Sequence, residues 1–175
     1  MTFRARFRSL ARRTLALGTC LLVASSLAAS AAVVRLAPDF SFPGAGNRSK
    51  SLRSLRGQPV VIVFADTPDN RAYRKQLKNL REIYSQFASR NVVFVAAFKN
   101  GSTEPVLSNV PFAIANNGAG VSGAYGVTTD FSMVIVGKDG NVDYQTDRPA
   151  PAQRIRDVIQ NSFVVQDQAR KDTVR

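Results

Sequence analysis

A short group of polar residues follows the most apolar run in the sequence, and we call it the polar turn. It comprises Asp66, Thr67, Pro68, Asp69 and Asn70. Two carboxylates, a hydroxyl and an amide at the start of a helix could form a remodelled ligand or cation site. The same residue types also cap helices, because Asp and Asn accept hydrogen bonds from the free N–H groups of a first turn. Capping by Asp69 or Asn70 alone accounts for the composition, and the two carboxylates disfavour an anion site at this helix start.

The side chains on which most catalytic sites depend are scarce in this sequence. It contains one cysteine, Cys20, and no histidine. The chain after residue 31 therefore has no thiol nucleophile, no disulfide, no Cys/His zinc site and no histidine general base. We expect no catalytic residue, no metal site and no cofactor.

Residues 1–31 have the features of a secretory signal peptide. An arginine-rich start precedes an apolar segment at 14–27, and Ala29-Ser30-Ala31 fits the cleavage pattern. We predict Sec-type export to the periplasm or the medium. Twin-arginine export, suggested by Arg12-Arg13, and an uncleaved N-terminal membrane anchor are the alternatives. Lipidation of Cys20 is disfavoured because Thr19 precedes it.

The segments around the polar turn alternate between strands and helices. Residues 60–65 and 92–98 are continuous apolar runs, typical of strands buried on both faces. Between them, apolar residues recur at helical spacing and predict one buried stripe. The stripe consists of Tyr73, Leu77, Leu80, Tyr84 and Phe87. A strand, an amphipathic helix and a strand form a βαβ unit, so the two strands should be parallel.

The second half of the chain predicts a sheet edge, a hairpin and a closing helix. Residues 110–115 predict a short strand, and Pro111 indicates that it lies near an edge or begins irregularly. The Gly137-Lys138-Asp139-Gly140 sequence is a hairpin turn between strands at 132–136 and 142–145. Residues 150–163 have the pattern of a helix. The glycine-rich stretch at 118–126 lacks the spacing of a nucleotide-binding loop and predicts only a short helix.

The domain boundaries follow from these segments. We predict one domain over 32–165, with a loop-like start over 32–50 and a short helical turn at 51–57. Residues 166–175 read as a polar, frayed C-terminal tail.

Basic residues lie on the faces of the predicted helix that are away from its apolar stripe, and we call them the basic helix surface. They are Arg71, Arg74, Lys75, Lys78 and Arg81. Such a face is either solvated or able to bind an anionic surface or an acidic partner. Removal of residues 1–31, which hold five arginines and no acids, lowers the formal net charge from +12 to +7. That charge is too modest to indicate a nucleic-acid binder.

The order of these segments, and several motifs within them, resemble the thioredoxin-like superfamily and especially its peroxiredoxin and thiol:disulfide redoxin branch. The motifs are Ala37-Pro38-Asp39-Phe40, the stretch from Ser51 to Phe64, the segment at 110–127 and the hairpin at 132–140. The resemblance covers roughly residues 37–160. It implies an α/β thioredoxin-like fold with a central mixed sheet of about four to five strands flanked by helices.

The resemblance also assigns positions to the polar turn. In a peroxiredoxin register, Thr67 matches the threonine that polarises peroxide, and Asn70 stands where the peroxidatic cysteine would be. In a C-x-x-C register the two cysteines fall near Asp69 and Ala72. The cis-proline of the redoxins and the arginine of the peroxiredoxins both fall near Phe131. Because Asn, Asp and Ala cannot replace a thiolate, the resemblance implies the fold and argues against the activity.

The polar turn with Phe131 is thus a candidate vestigial active site. We expect a non-catalytic binding or accessory module of the bacterial cell envelope. Its partner would be an unknown envelope protein or an anionic surface, not nucleic acid, and it would meet the membrane only through an uncleaved signal segment. The alternatives are an antioxidant or disulfide-pathway protein that acts with a partner's thiol, and a binder of anionic envelope components through the basic helix surface.

Overall fold

Six consecutive apolar residues form the central strand, β3 (Val60–Ala65), and all six are buried. The computed structural model describes residues 35–44, 48–104 and 108–173. Within it, β3 pairs in parallel with β4 (Val93–Phe98) and antiparallel with β6 (Phe131–Val136). A strand with neighbours on both edges and no exposed residue must be apolar throughout, as the sequence predicted.

Two shorter strands complete the sheet. β5 (Phe112–Ile114) lies parallel to β4, and β7 (Val142–Thr146) lies antiparallel to β6. The strand order is β5-β4-β3-β6-β7. The predicted α/β class, the five-stranded mixed sheet, the parallel βαβ unit and the edge position of β5 are confirmed.

Two long helices cover one face of this sheet. α1 (Arg71–Phe87) and α3 (Ala152–Thr173) share an apolar cluster with side chains from that face, among them Val61, Met133 and Ile135. The predicted stripe of α1 is buried apart from Tyr84, which is partly exposed. The helices therefore pack as the apolar spacing indicated.

The opposite face carries the short helix α2 (Gly118–Ala124) and an N-terminal hairpin. Gly118 must be a glycine, because a Cβ atom there would overlap the carbonyl of Phe98 at the end of β4. The glycine-rich stretch thus allows a helix to approach the sheet closely.

The prediction of a loop over 32–50 is wrong at the hairpin. β1 (Ser41–Pro43) and β2 (Ser49–Ser51) pair antiparallel, and a 3-10 helix (Leu52–Leu55) follows. Strands of three residues that contain serine, lysine and proline carry no readable alternation. Burial of Phe40 and Phe42 against the sheet holds the hairpin in place instead.

The last helix is longer than predicted. α3 continues past Phe163 to Thr173, into the segment that we expected to be frayed. Residues 164–173 contain no glycine or proline and several good helix formers, so nothing local ends the helix. The predicted signal peptide, 1–31, lies outside the described residues. Within the described ranges, no helix is both long enough and apolar enough to cross a membrane.

One buried polar side chain joins α1 to the loop before α3. Gln76 on α1 is fully buried, and its Oε1 accepts a 2.7 Å hydrogen bond from the backbone N–H of Ala150. Its Nε2 donates to the Ala150 carbonyl at 3.4 Å, and Asn79 donates to the same oxygen at 2.7 Å. The amide thereby fixes the loop before α3 against α1 without leaving its own polar atoms unpaired.

We expect the substitution Gln76→Leu to destabilise the fold by about 1–3 kcal/mol, because it leaves the N–H of Ala150 buried without an acceptor. Urea unfolding followed by circular dichroism measures the change. Gln86→Leu, at an exposed position of the same helix, is the control and should cost less than about 0.5 kcal/mol. Equal costs for the two variants would contradict the structural role of Gln76.

Candidate functional site

The polar turn lies at the edge of the sheet where β3 and β4 end and β6 begins. Asp66 directly follows β3, Lys99 directly follows β4, and Asp130 directly precedes β6. Parallel strands end at the same edge of a sheet, and the antiparallel β6 starts there. The fold therefore brings three separate segments to one place.

Asn70, and not Asp69, caps α1. The Oδ1 of Asn70 accepts hydrogen bonds from the N–H groups of Ala72 and Tyr73, at 2.9 and 3.1 Å. Its Nδ2 donates to the carbonyl of Asp130 at 3.2 Å. One amide thus satisfies the first turn of α1 and also ties that turn to the loop before β6.

The Asp130 carbonyl is the centre of this arrangement. It accepts the Nδ2 donor of Asn70 and, at 3.1 Å, the backbone N–H of Asp66. The carbonyl of Asp66 in turn accepts the N–H of Asn100 at 3.0 Å. These bonds connect the ends of β3 and β4 and the start of β6 into one joint.

An ion pair lies beside the joint. Lys99 Nζ lies 3.1 Å from Asp66 Oδ1 and donates a 2.6 Å hydrogen bond to the carbonyl of Thr129. The Lys99 side chain is 25% exposed and that of Asp66 is 42% exposed. The lysine thus neutralises one of the two carboxylates of the polar turn.

Lys99, Thr129 and Asp130 were not predicted from the sequence. Lys99 was within reach of prediction, because the first residue after a strand parallel to β3 must lie at the same edge. Asp130 contributes through its backbone carbonyl, and a pattern of residue types cannot predict a backbone contact of this kind.

The other predicted residues contribute less to the joint. The carbonyl of Thr67 accepts the N–H of Asn70 at 3.2 Å, and Pro68 is half-buried. Asp69 is exposed and lies 3.9 Å from Arg74, a surface ion pair of little energetic weight. Phe131 pairs with Ala65 and is buried in the apolar cluster that α1 and α3 share with the sheet.

Tyr73 carries a buried hydroxyl one turn into α1. The side chain is 1% exposed, its ring packs edge-on against Phe98 at 5.1 Å, and its hydroxyl has no hydrogen-bond partner among the described residues. Burial raises the pKa of Tyr73 well above its usual value. The hydroxyl therefore stays protonated at neutral pH and cannot act as a base.

The chemistry available at the polar turn is hydrogen bonding and charge. Its groups are carboxylates, an ammonium, an amide and a hydroxyl, and the amide and the ammonium already bond to other parts of the protein. In the described part of the chain, no three His, Cys, Asp or Glu side chains come together as a possible metal site. The arrangement is suited to holding the fold or contacting a partner.

All five members of the basic helix surface are exposed on α1. Arg74 is the one member with an acidic group within 4.0 Å among the described residues, and that pair is long. Glu82 is the one acidic residue of α1. The outer side of this helix is therefore strongly basic.

The fold and this edge geometry define a thioredoxin-like α/β protein. The solved structures that the chain resembles include a protein described as the thiol:disulfide interchange protein DsbE of Chlorobium tepidum, with a TM-score of 0.61 and 18% identity over 74% of this chain and 96% of that one. Thioredoxin peroxidase I of Plasmodium yoelii has a TM-score of 0.58 and 14% identity over 78% and 92%. Peroxidoxin BcpB of Mycobacterium tuberculosis has a TM-score of 0.54 and 16% identity over 75% and 96%. At these identities the likeness shows the fold alone.

A family assignment comes from the sequence itself. Residues 53–164 match the model of the domain of unknown function DUF4174, and the chain belongs to this family. No curated protein matches this chain. The solved structures confirm the predicted thioredoxin-like fold, and the family description assigns no activity.

The joint predicts an order of stability for two variants of Asn70. Asn70→Ala loses both the cap and the bond to Asp130 and should cost about 1–2 kcal/mol. Asn70→Asp keeps an acceptor for the cap but loses the donor to the Asp130 carbonyl, so its stability should lie between that of Asn70→Ala and wild type. Urea unfolding measures all three proteins. An alanine variant as stable as wild type would contradict the role of the joint.

Proposed function

We propose that this protein is a non-catalytic binding or accessory module of the bacterial cell envelope, exported by a cleaved N-terminal signal. One observation carries the proposal. Asn70, which the peroxiredoxin register places where a reactive thiol would be, uses both ends of its amide to hold α1 against the loop before β6. A residue committed to structure in this way is not free for chemistry on a substrate.

The charge of the neighbouring groups supports the same proposal. A thiolate at a helix N-terminus is favoured by nearby cations and by free N–H groups. Here the Oδ1 of Asn70 occupies two of those N–H groups, and Lys99 is paired with Asp66. The N–H groups and the cation that would stabilise a thiolate in a redox protein are bonded here to other groups of the same protein.

The purified protein should not turn over hydrogen peroxide or a small disulfide in the presence of a dithiol, because no thiolate exists after residue 31 to attack either substrate. The rate of peroxide loss should equal that of a heat-denatured control. A cysteine-dependent peroxidase provides the positive control. Protein-dependent turnover would refute the non-catalytic function and favour the alternative of an antioxidant or disulfide-pathway protein.

The basic helix surface favours a second function, binding to anionic lipid of the envelope. Five exposed cations on one helix create a positive field towards solvent, and Arg74 is the one of them that lies near a described acid, 3.9 Å from Asp69. Each lysine or arginine near an anionic membrane contributes roughly 1 kcal/mol. The surface is therefore large enough to hold the protein on such a membrane at low salt.

We expect the protein to co-sediment with vesicles that contain phosphatidylglycerol, and to be released as salt rises. The triple variant Arg74→Gln, Lys75→Gln, Lys78→Gln should lose most of this binding. A matched control, Arg56→Gln, Arg148→Gln, Arg154→Gln, removes three exposed cations elsewhere and should retain more of it. Absence of binding at low salt, or equal losses in the two variants, would remove this second function.

A further inference from the structure

The N-terminal hairpin has one edge without a neighbouring strand in the described part of the chain. β2 pairs with β1 alone, and the two form a separate two-stranded sheet. On the other side of the hairpin, β1 is tied to the body of the protein, because the Ser41 carbonyl accepts the N–H of Asn116 at 3.0 Å. The outer edge of β2 is the open one.

The hydrogen-bond pattern shows which backbone groups point out of this edge. The N–H of Leu52 donates to the carbonyl of Phe40, and that of Gly44 donates to Arg48. Bonded pairs alternate along an antiparallel ladder, so Lys50 bonds inward to Phe42. The backbone groups of Ser49 and Ser51 then point outward, as those of Ser41 do on β1. Ser54 Oγ already donates to the Ser51 carbonyl at 2.6 Å. Among the described residues, no group bonds to the Ser49 N–H, the Ser49 carbonyl or the Ser51 N–H.

An open groove of about 570 Å³ lies against the hairpin and includes β2 in its lining. Its lining residues are all three residues of β2, Ser41 of β1, and Ser54, Leu55, Gln58 and Val93. Its volume falls within the range of ligand clefts, roughly 300–1,000 Å³. Lys50 is the one charged residue among its described lining residues.

The charge of Lys50 indicates what can occupy the groove. In a ladder on the outer edge, Lys50 is a non-bonded position, where opposite side chains come closest. A second copy of this chain, paired in the register that uses all three residues, would place its own Lys50 directly opposite. Two like charges in that position are destabilising, whereas an acidic residue there is favourable.

We propose that the edge of β2 binds an extended, acidic segment of a partner protein, which adds to the hairpin as a third, antiparallel strand with Asp or Glu opposite Lys50. The partner's backbone bonds to Ser49 and Ser51, and its side chains enter the groove. This inference rests on the proposed binding function and names the chemistry of the partner. Peroxide turnover would refute the proposed function. Failure of the peptides to bind at β2 would refute only this site, so the two failures are distinguishable.

The test uses two synthetic peptides and the full chain labelled with nitrogen-15. The first peptide is Ac-Thr-Val-Thr-Glu-Thr-Val-Thr-amide, and the second has Lys in place of Glu. In an NMR titration the Glu peptide should shift the amide signals of Ser49 and Ser51 and bind about two- to fivefold more tightly than the Lys peptide. The substitution Lys50→Glu should reverse this preference.

Methylation of the peptide backbone separates strand addition from simple charge attraction. In the proposed register the two threonines that flank Glu face β2, so methylating their nitrogens should abolish binding. Methylating the two valine nitrogens, which face away, should leave binding intact. On the protein side, Ser49→Pro removes an outward N–H and should weaken binding, while Ser49→Ala keeps that N–H and should not.

Several results would overturn the proposal. They are unchanged amide signals of Ser49 and Ser51 at millimolar Glu peptide, equal binding of the two peptides, or equal effects of the two methylation patterns. Self-association of the chain through β2, seen as concentration-dependent shifts of the same amides, would instead assign the edge to a second copy. Because the methylated peptides are tested on wild type, the result does not depend on the folding of Ser49→Pro.

Discussion

The central strand β3 is enclosed on every side, and the rest of the structure depends on this constraint. β4 and β6 cover its edges, and the two apolar clusters cover its faces. None of its six residues can contact a solute, so polar chemistry connected with β3 is possible only beyond its ends. The polar turn occupies one of these ends, and its residues must also terminate the strand and start α1. Any ligand at that position would have to share those residues with the fold.

Asn70 meets this double demand in a way that a thiolate could not. An amide accepts and donates at the same time, so it caps α1 with its oxygen and holds the Asp130 carbonyl with its nitrogen. A thiolate accepts only and would leave that carbonyl with one bond fewer. The amide of Asn70 therefore serves the fold twice, through the cap of α1 and through the bond to the Asp130 carbonyl.

The periodicity of apolar residues predicted the elements that bury large apolar faces, namely β3, α1, β4 and β6. The hairpin was missed because its position depends on Phe40 and Phe42 reaching the sheet, a tertiary contact with no local pattern. Gln76 was missed for a similar reason, since a glutamine on a helix reads as exposed until its partner, the backbone of Ala150, is known. At the site, residue types narrowed the helix cap to Asp69 or Asn70, but the choice of Asn70 and the carbonyl of Asp130 could be found only from the three-dimensional arrangement.

The charges of the domain divide between internal and external roles. Asp66 pairs with Lys99, and Asp39 pairs with Arg53 and also accepts the backbone N–H of that residue. These acids are committed, whereas four of the five cations on the basic helix surface have no acidic partner within 4.0 Å in the described structure. The excess positive charge thus points outward and can attract an anionic partner over a Debye length, about 8 Å at physiological salt. Attraction of that kind raises the encounter rate and carries little specificity. The outward backbone groups of β2 have fixed positions and would pair with the proposed strand in one register, so specificity would arise at the hairpin.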